Sequence, residues 1–431
     1  MRTKACIVVM VVVLLGGCSS GSGTKQADSS ATSTRSGASP GVDSVGTSDG
    51  STHPGGVAPT TPYSGGDFYA VPNPLPKAPH GTLLRYQPVT APGGADAYRI
   101  MYLSRSVGGE PIAVTGGAVI PKAKAPAGGR RVLTTAHGTT GIGDACAPSK
   151  SDKLGTELSL LGPAAVSAGY LLVGTDYEGL GTPGVHPYLV GESEGRSVID
   201  AVPAASQLPG AEAGKEVAIA GYSQGGHGAL WANQVASKWA PDLHIVGTFA
   251  GAPATELDLI AKAAPTFAGA SGFFVLIAAG YHQAYPQTRI EQVLAPAGIA
   301  RAEDADRNGC KQDKTPAATP TPAGPLVQPD AGTVEPWATL FKQNNPGQVK
   351  TADPILIIHS KQDSTVPVAL SEILFNRMCG LGQVVERRIY DKGQSHVQAA
   401  PDAYRDALAW LADRFDGKRA ASTCPSAGPT G

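Results

Sequence analysis

The chain has 431 residues, with 34 Lys and Arg against 35 Asp and Glu and a formal net charge of -1. This balance lacks the basic excess that is typical of nucleic-acid-binding proteins, so we expect no nucleic-acid partner. The length is more than one hydrophobic core usually fills, which favours a single domain with a large insertion. No group of Cys and His has the spacing of metal ligands, and we expect no metal.

The amino-terminal residues have the pattern of an export signal. Arg2 and Lys4 precede an apolar run at residues 5–15 that is too short to span a bilayer as a mature helix. The run ends in Leu-Gly-Gly-Cys18, which is similar to the lipobox of bacterial lipoproteins. We therefore expect a signal peptide at residues 1–17 and a lipidated Cys18 that anchors the protein to a membrane of the cell envelope. An ordinary secretory signal is the alternative.

Residues 18–66 consist mainly of Ser, Gly, Thr, Ala and Pro, with few large apolar side chains. Such a composition buries too little apolar surface to offset the entropy of ordering the chain. We expect a disordered tether here, and a folded part that begins near residue 67.

The folded part opens with three strand-like segments separated by Gly and Pro turns, which predicts an antiparallel meander. These segments are residues 82–89, 98–104 and 112–120. Short apolar runs without alternation follow, at residues 131–136, 170–174, 216–220, 244–249 and 354–358. Such runs are typical of strands buried on both faces, and helix-compatible segments at residues 195–206 and 228–239 separate them. The pattern predicts an α/β fold with a mostly parallel central sheet flanked by helices.

Five serines lie in the pattern Gly-x-Ser-x-Gly, which is weak evidence in a chain with 55 glycines. Three of them lie in the expected tether, where no base can be held against them: Ser19, Ser39 and Ser48. Ser193 has a glutamate on each side, which disfavours an alkoxide and predicts the first turn of a helix instead. Ser223 directly follows an apolar run. Its neighbours Gly221 and Gly225 predict a sharp strand-to-helix turn that exposes the hydroxyl.

A serine nucleophile at such a turn needs an acid and then a histidine from later strand ends. Asp363 follows the last buried run. His396 lies between strand-like residues 384–390 and a helix expected at residues 403–415, so we expect both side chains in loops. We expect Asp363 to orient the imidazole and His396 to act as the base. For Asp363 the alternative is a solvated loop position or a helix cap, with Asp391 as the substitute.

Three other histidines fit the role of base less well. His227 lies four residues after Ser223 on the same helix, so its ring should point away from the hydroxyl. His359 belongs to its own strand, and His137 ends the first parallel strand. We therefore expect the backbone around His137 to matter more than its imidazole.

Backbone amides are expected to bind the oxyanion that forms during attack on a carbonyl. Gln224 follows the nucleophile at the start of a helix, so its amide can face the developing charge. The loop after the first parallel strand is the expected source of a second amide, from Thr139 or Thr140.

Together these segments resemble the secretory lipases of the α/β-hydrolase superfamily, the group that includes the lipase A-type triacylglycerol lipases. The resemblance covers most of the chain from about residue 67. The matching segments are residues 136–140 (Ala-His-Gly-Thr-Thr), 146–149 (Cys-Ala-Pro-Ser), 174–181 and 221–225, with the loops of Asp363 and His396.

The resemblance implies an α/β-hydrolase fold with an inserted, mostly helical cap. Residues 67–252 and 351–431 would form the catalytic domain, and residues 253–350 the cap over the active site. For the apolar residues 273–277 we favour the core of the cap over a mobile lid that faces lipid.

The resemblance also implies a catalytic triad of Ser223, Asp363 and His396, no cofactor, and hydrolysis of carboxylic esters of the triacylglycerol type through an acyl-enzyme. The substrate would be a small ester or a lipid, and the protein would be secreted or anchored in the cell envelope. A serine peptidase or acyltransferase of the same superfamily, or a surface lipoprotein that binds a ligand without turnover, is the alternative. The sequence gives no indication of acyl length or oligomeric state.

Four cysteines remain after the signal peptide and the expected lipidation site: Cys146, Cys310, Cys379 and Cys424. An even set in an exported protein is typical of disulfides, and four cysteines allow three pairings. The resemblance implies that Cys146 pairs with Cys310 and that Cys379 pairs with Cys424.

Overall fold

The computed structural model describes residue 59 and residues 61–310 and 324–425. The expected signal peptide, Cys18 and most of the expected tether therefore lie outside the described residues. Within the described part of the chain, no helix combines the length and the apolar character needed to cross a membrane.

A single sheet of nine strands forms the centre of the fold. Its strands are β1 (Leu83–Val89), β2 (Ala95–Arg105), β3 (Pro111–Pro121), β4 (Arg130–Ala136), β5 (Leu171–Thr175), β6 (Ala213–Tyr222), β7 (His244–Gly251), β8 (Ile355–Ser360) and β9 (Val385–Tyr390). Their order is β1-β2-β3-β5-β4-β6-β7-β8-β9. The pairs β1–β2, β2–β3 and β3–β5 are antiparallel, and all remaining pairs are parallel. The antiparallel start and the mostly parallel centre agree with the prediction.

Helices cover both faces of this sheet. The helices of the described residues are α1 (Gly155–Ala168), α2 (Gly191–Ser206), α3 (Gln224–Trp239), α4 (Leu257–Ala263), α5 (Ala268–Ala284), α6 (Pro296–Asn308), α7 (Trp337–Gln343), α8 (Val368–Gly380) and α9 (His396–Phe415). The apolar side chains of α2 and α3 pack on one face, and those of α1 and α9 on the other. Every residue of β5 and of β8 is buried as a result, which is why these strands read as apolar runs without alternation.

Two of these helices extend beyond the helix-compatible segments at residues 195–206 and 228–239. Helix α2 begins at Gly191 and α3 at Gln224, in agreement with the helix starts expected around Ser193 and at Gln224. Both first turns contain glycine, which has low helix propensity and so conceals the start of the helix from a pattern based on helix formers.

A long segment separates β7 from β8 and contains α4 to α7. Apart from these helices, its described residues form a short 3₁₀ turn and one isolated bridge between Leu294 and Val327. Helix α5 places Phe274, Val275 and Ile277 in a hydrophobic cluster, each no more than 1% exposed. The apolar run at residues 273–277 therefore lies mainly in the core of this segment and does not form an exposed lid, as expected.

Two disulfides connect distant parts of the chain. Cys146 pairs with Cys310, and Cys379 pairs with Cys424, with Cα–Cα distances of 5.0 and 5.5 Å. The first joins the loop region after β4 to the residues that follow α6. The second joins α8 to the residues that follow α9. Of the three possible pairings, the structure has the one that the family resemblance implied.

Candidate active site

Ser223 lies at a strained turn between β6 and α3. Its φ of 61° and ψ of −122° are rare for a residue with a side chain. The amide of Ser223 donates to the carbonyl of Gly251 at 2.8 Å, and its own carbonyl accepts from the amides of His227 and Ala254, each at 3.2 Å. These bonds hold the turn in place from both sides.

The glycines on each side of Ser223 allow the backbone segments to approach closely. A Cβ atom added at Gly221 would overlap the carbonyl of Gly225, and one added at Gly225 would overlap the carbonyl of Ala136. Any larger residue would therefore push α3 away from β6 or from β4. The expected sharp strand-to-helix turn is present.

Asp363 lies in the loop after β8 and is buried. One carboxylate oxygen, Oδ1, accepts the amides of Thr365 and Val366, each at 2.9 Å. The other oxygen, Oδ2, lies 2.5 Å from Nδ1 of His396. Burial alone would raise the pKa of Asp363, but hydrogen bonds from His359, His396 and the Val366 amide outweigh it and hold the pKa well below its usual range. The carboxylate is therefore ionised at neutral pH.

His396 is the first residue of α9 and does not lie in a loop, so the expected position of this helix was wrong. The helix begins seven residues before residue 403 because Ser395 and Gln398 form a capping box, in which Gln398 Oε1 accepts the Ser395 amide at 3.0 Å. Pro401 lies within α9 and makes the preceding turn look like a loop in the sequence.

The start of α9 lies against the strand end that precedes the nucleophile. The hydroxyl of Tyr222 donates to the carbonyl of His396 at 2.7 Å, and the two rings have their centroids 5.1 Å apart. Because Tyr222 immediately precedes Ser223, these contacts place the first residue of α9 beside the strand end that leads into the strained turn, with Asp363 at Nδ1 of His396.

The loop after β4 also lies beside this turn. A methyl group added at Gly138 would lie 3.9 Å from Cβ of Ser223. The amide of Gly138 donates to Oε1 of Glu157 at 3.0 Å. The backbone amides of Thr139 and Gln224, in contrast, donate to no backbone carbonyl among the described residues. Thr140 is exposed. Free amides are thus present in both segments from which we expected oxyanion donors.

The remaining candidates from the sequence lie elsewhere. Ser193 lies in the first turn of α2, as predicted, and donates to Oε2 of Glu178 at 2.6 Å. Asp391 is exposed and pairs with Lys361 at 3.0 Å. The ring nitrogens of His137 face backbone carbonyls, at 2.6 and 3.2 Å, in agreement with a structural role for this ring.

Sequence reasoning missed a second histidine at Asp363. Nε2 of His359 lies 2.9 Å from the carbonyl of Val366 and 3.3 Å from Oδ2 of Asp363, so its N–H points mainly at the carbonyl and the contact with the carboxylate is the weaker one. The spacing of four residues between His359 and Asp363, at the end of a fully buried strand, was the available signal. It was set aside because His359 belongs to β8.

A serine at a sharp strand-to-helix turn, with an imidazole–carboxylate pair beside the preceding residue, is a set of groups suited to nucleophilic attack with help from a general base. Within the described residues, no group of three or more His, Cys, Asp or Glu side chains could hold a metal ion.

Comparison with known proteins identifies the family. The family model described as secretory lipase matches residues 148–317 and 332–423. A Mycobacterium tuberculosis protein named "Probable inactive lipase" is 26% identical over 84% of this chain and 84% of its own length. A Malassezia globosa protein named "Secreted triacylglycerol lipase" is 24% identical over 68% of this chain and 66% of its own length.

Solved structures with this fold include two lipolytic proteins. Candida antarctica lipase A in its closed state matches with a TM-score of 0.68 and 22% identity, over 80% of this chain and 84% of the other. A rice cell wall degrading esterase from Xanthomonas oryzae matches with a TM-score of 0.60 and 21% identity, over 79% of this chain and all of the other. At this level of identity the two structures support the α/β-hydrolase fold. The family model matches more than half of the chain, which establishes that the chain belongs to the secretory lipase family.

Proposed function

We propose that this protein is a carboxylic ester hydrolase in which Ser223 is the nucleophile, His396 the general base and Asp363 the residue that orients the imidazole. The observation that carries the proposal is the 2.5 Å contact between Nδ1 of His396 and Oδ2 of Asp363, at a helix start that contacts the residue before Ser223. Membership of the secretory lipase family supports ester hydrolysis as the reaction.

The geometry supports the following sequence of steps. Asp363 accepts a hydrogen bond from Nδ1 of His396, so Nε2 is left to take the Ser223 proton as the hydroxyl attacks the ester carbonyl. The amides of Gln224 and Thr139, or Thr140 in place of Thr139, would bind the oxyanion. His396 then protonates the leaving alcohol. Water repeats the sequence on the acyl-enzyme and releases the acid.

For the substrate we propose a neutral ester or lipid, with triacylglycerols as the first class to test. The names of the Malassezia and Xanthomonas proteins, a triacylglycerol lipase and an esterase, support this choice. We assign residues 67–252 and 351–431 to the catalytic domain and residues 253–350 to a cap that selects the acyl chain. A peptidase or acyltransferase of the same superfamily would use the same three residues.

Hydrolysis of p-nitrophenyl esters by the wild-type protein, Ser223→Ala and Ser193→Ala tests this proposal. Ser193→Ala is the matched control, since Ser193 has the same Gly-x-Ser-x-Gly pattern but lies in α2. We expect Ser223→Ala to lose roughly 10⁴-fold or more of the activity and Ser193→Ala to keep it. Short and long acyl chains, compared at equal concentration, measure the acyl preference. Undiminished turnover in folded Ser223→Ala would refute the proposal.

A second candidate function is binding of an ester or lipid without turnover. The name "Probable inactive lipase" of the mycobacterial relative favours it. The presence of Ser223, Asp363 and His396 in this chain argues against it, because a protein that only binds needs none of the three. A folded wild-type protein that binds a fluorescent fatty acid but releases no p-nitrophenolate would establish this second function.

The secretory family and the two disulfides suggest an exported protein. We propose further that residues 1–17 are a signal peptide, that Cys18 is acylated, and that residues 18–66 tether the catalytic domain to a membrane of the cell envelope. The pattern Leu-Gly-Gly-Cys after an apolar run of residues 5–15 supports this location.

A further inference from the structure

A buried polar cluster lies directly behind the β6–α3 turn. It consists of Glu194 of α2, Gln224 and His227 in the first turns of α3, His186 in the loop before α2, and Asn344 after α7. Glu194, His186 and His227 are fully buried, and Gln224 is 1% exposed. The proposed mechanism uses only the backbone amide of Gln224, so it assigns no role to these side chains.

Hydrogen bonds connect His227 and Glu194 to each other and to their neighbours. Nε2 of His227 lies 3.0 Å from the carbonyl oxygen of Asn344, which can only accept, so this nitrogen carries a hydrogen. Nδ1 of His227 lies 2.6 Å from Glu194, whose carboxylate also accepts the Leu189 amide at 3.0 Å and Nε2 of Gln224 at 2.9 Å. The side chains of Glu194 and His227 therefore form a buried, directly hydrogen-bonded pair, and the same carboxylate holds the side-chain amide of Gln224.

The side-chain amide of Gln224 is held by two acceptors. Burial lowers the pKa of His186 to about 4, so this ring is neutral. Its Nδ1 donates to the carbonyl of Glu178 at 2.8 Å, which leaves Nε2 to accept from Gln224 at 2.7 Å. The NH₂ group of Gln224 therefore donates to His186 and Glu194 together.

We expect this cluster to contribute little to the free energy of folding. Removing polar groups from water is costly, and a protein in which apolar groups replace both partners of a buried hydrogen bond is often as stable. In addition, Oε1 of Gln224 is buried without a hydrogen-bond partner in the described part of the chain. A role in placing Gln224 accounts for the cluster better than a contribution to stability does.

The cluster also connects the turn to the inserted segment. The carbonyl of Asn344 accepts Nε1 of Trp231 as well as His227, both at 3.0 Å, and its Oδ1 accepts the amide of Gly191 at 2.8 Å. Asn344 directly follows α7, so the inserted segment, α2 and α3 meet at this residue.

We propose that Glu194 and His227 are positioning residues: by fixing the side chain of Gln224 they set the direction of the Gln224 amide that receives the oxyanion. The inference rests on the proposed function, because it assigns this amide to the oxyanion hole. A displacement of about 1 Å at such a site can lower a rate by roughly a hundredfold, so loss of the Glu194–His227 pair should be visible in kcat.

The test compares an ester with its thionoester analogue in the wild-type protein, Glu194→Gln and Gln224→Met. Sulfur accepts hydrogen bonds more weakly than oxygen, so an enzyme with well-placed oxyanion amides prefers the ester, and a misplaced amide reduces this preference. We expect both variants to lose roughly tenfold to a hundredfold in kcat, with little change in KM, and to show a smaller ester-to-thionoester rate ratio. If Glu194→Gln does not fold, Gln224→Met provides the test, since methionine fills the same space and removes the unpartnered carbonyl.

Asp200→Asn is the matched control. Asp200 lies in the same helix as Glu194 and is equally buried, and its Oδ1 lies 2.6 Å from Nδ1 of His80, the same distance as in the Glu194–His227 pair. This pair does not contact Gln224. We expect Asp200→Asn to lower the Tm while kcat and the rate ratio stay at the wild-type values.

Three results would overturn the inference. Wild-type kcat and rate ratio in folded Glu194→Gln and Gln224→Met would exclude a positioning role. A lower kcat with an unchanged rate ratio would leave only a structural role. A wild-type protein without ester turnover, or turnover that survives Ser223→Ala, would overturn the proposed function and this inference with it, whereas the first two results leave the proposed function intact.

Discussion

The backbone at Ser223 adopts a conformation that costs about 1–3 kcal/mol for a residue with a side chain. Its φ is 61°, and hydrogen bonds to residues on both sides fix the strained turn. Strain of this kind persists where a side chain must project from the end of a strand. The glycines at positions 221 and 225 let the neighbouring backbones approach closely enough to form the turn.

Replacement of Gly225 by alanine tests this close approach. The added Cβ would overlap the carbonyl of Ala136, so α3 would have to move away from β4. We expect Gly225→Ala to lower the free energy of unfolding by about 1–3 kcal/mol, as overpacking usually does, and to lower esterase activity further than the loss of folded protein explains. Urea unfolding and kcat measure the two effects.

Gly380→Ala is the control for this substitution. Gly380 also lies in a helix, its φ is not positive, and no atom lies within 4 Å of an added Cβ. Alanine at this position should therefore raise stability slightly, through helix propensity, and leave kcat unchanged. Equal losses of stability and of kcat in Gly225→Ala and Gly380→Ala would show that the close approach at Gly225 is not needed.

At the scale of elements, the buried strands were the most predictable part of the fold. Strands β4 to β8 are mostly apolar without alternation because helices cover both faces of the sheet. The sequence of each strand shows this pattern without reference to the others. The strand-to-helix turn at Ser223 was predictable for a similar reason, since its signal lies within about ten consecutive residues.

Contacts between distant segments were not predictable in this way. The start of α9 at His396 depends on a local capping box, but Pro401 concealed it. Glu194 meets His227, and His227 meets Asn344, only after α2, α3 and the inserted segment pack together, and no local pattern indicates this buried polar cluster. The contact of His359 with Asp363 has only a spacing of four residues as its signal in the sequence, and the position of His359 within β8 conceals it.

Strand β8 begins two residues after Asp353, and burial raises the pKa of Asp353 to about 6. A raised carboxyl pKa means that ionisation destabilises the folded state. The full cost is present above about pH 6 and disappears as the pH falls below the usual value near 4. We therefore expect Asp353→Asn to raise the Tm at about pH 7.5 and to match the wild-type Tm at about pH 4.

Asp391→Asn is a control for which the pKa shift, and so its effect on stability, has the opposite sign. Hydrogen bonds from Gln362 and Lys361 lower the pKa of Asp391, so its charged form favours the folded state above the usual carboxyl pKa. The substitution should leave the Tm unchanged or slightly lower at about pH 7.5. If Asp353→Asn brings no gain at that pH, Asp353 does not titrate as described.

For the whole molecule, we expect acylation at Cys18 to decide where the activity is found. Two or more acyl chains on one cysteine give a stable membrane anchor without a transmembrane helix. In a host that processes lipoproteins, the wild-type protein should incorporate labelled palmitate and sediment with membranes, and Cys18→Ala should do neither. Palmitate labelling of Cys18→Ala at the wild-type level would disprove acylation at this residue.

We propose that Ser223, activated by His396, attacks the electrophilic carbonyl of an ester. Reaction with a p-nitrophenyl alkylphosphonate is the sharpest test of this step, since the serine oxygen displaces p-nitrophenolate and forms a stable phosphonate ester. We predict one equivalent of p-nitrophenolate per wild-type chain, a phosphonate only on the peptide that contains Ser223, and no modification in His396→Ala. Modification at Ser193 or another residue, or no modification of folded wild-type protein, would rule out Ser223 as the nucleophile.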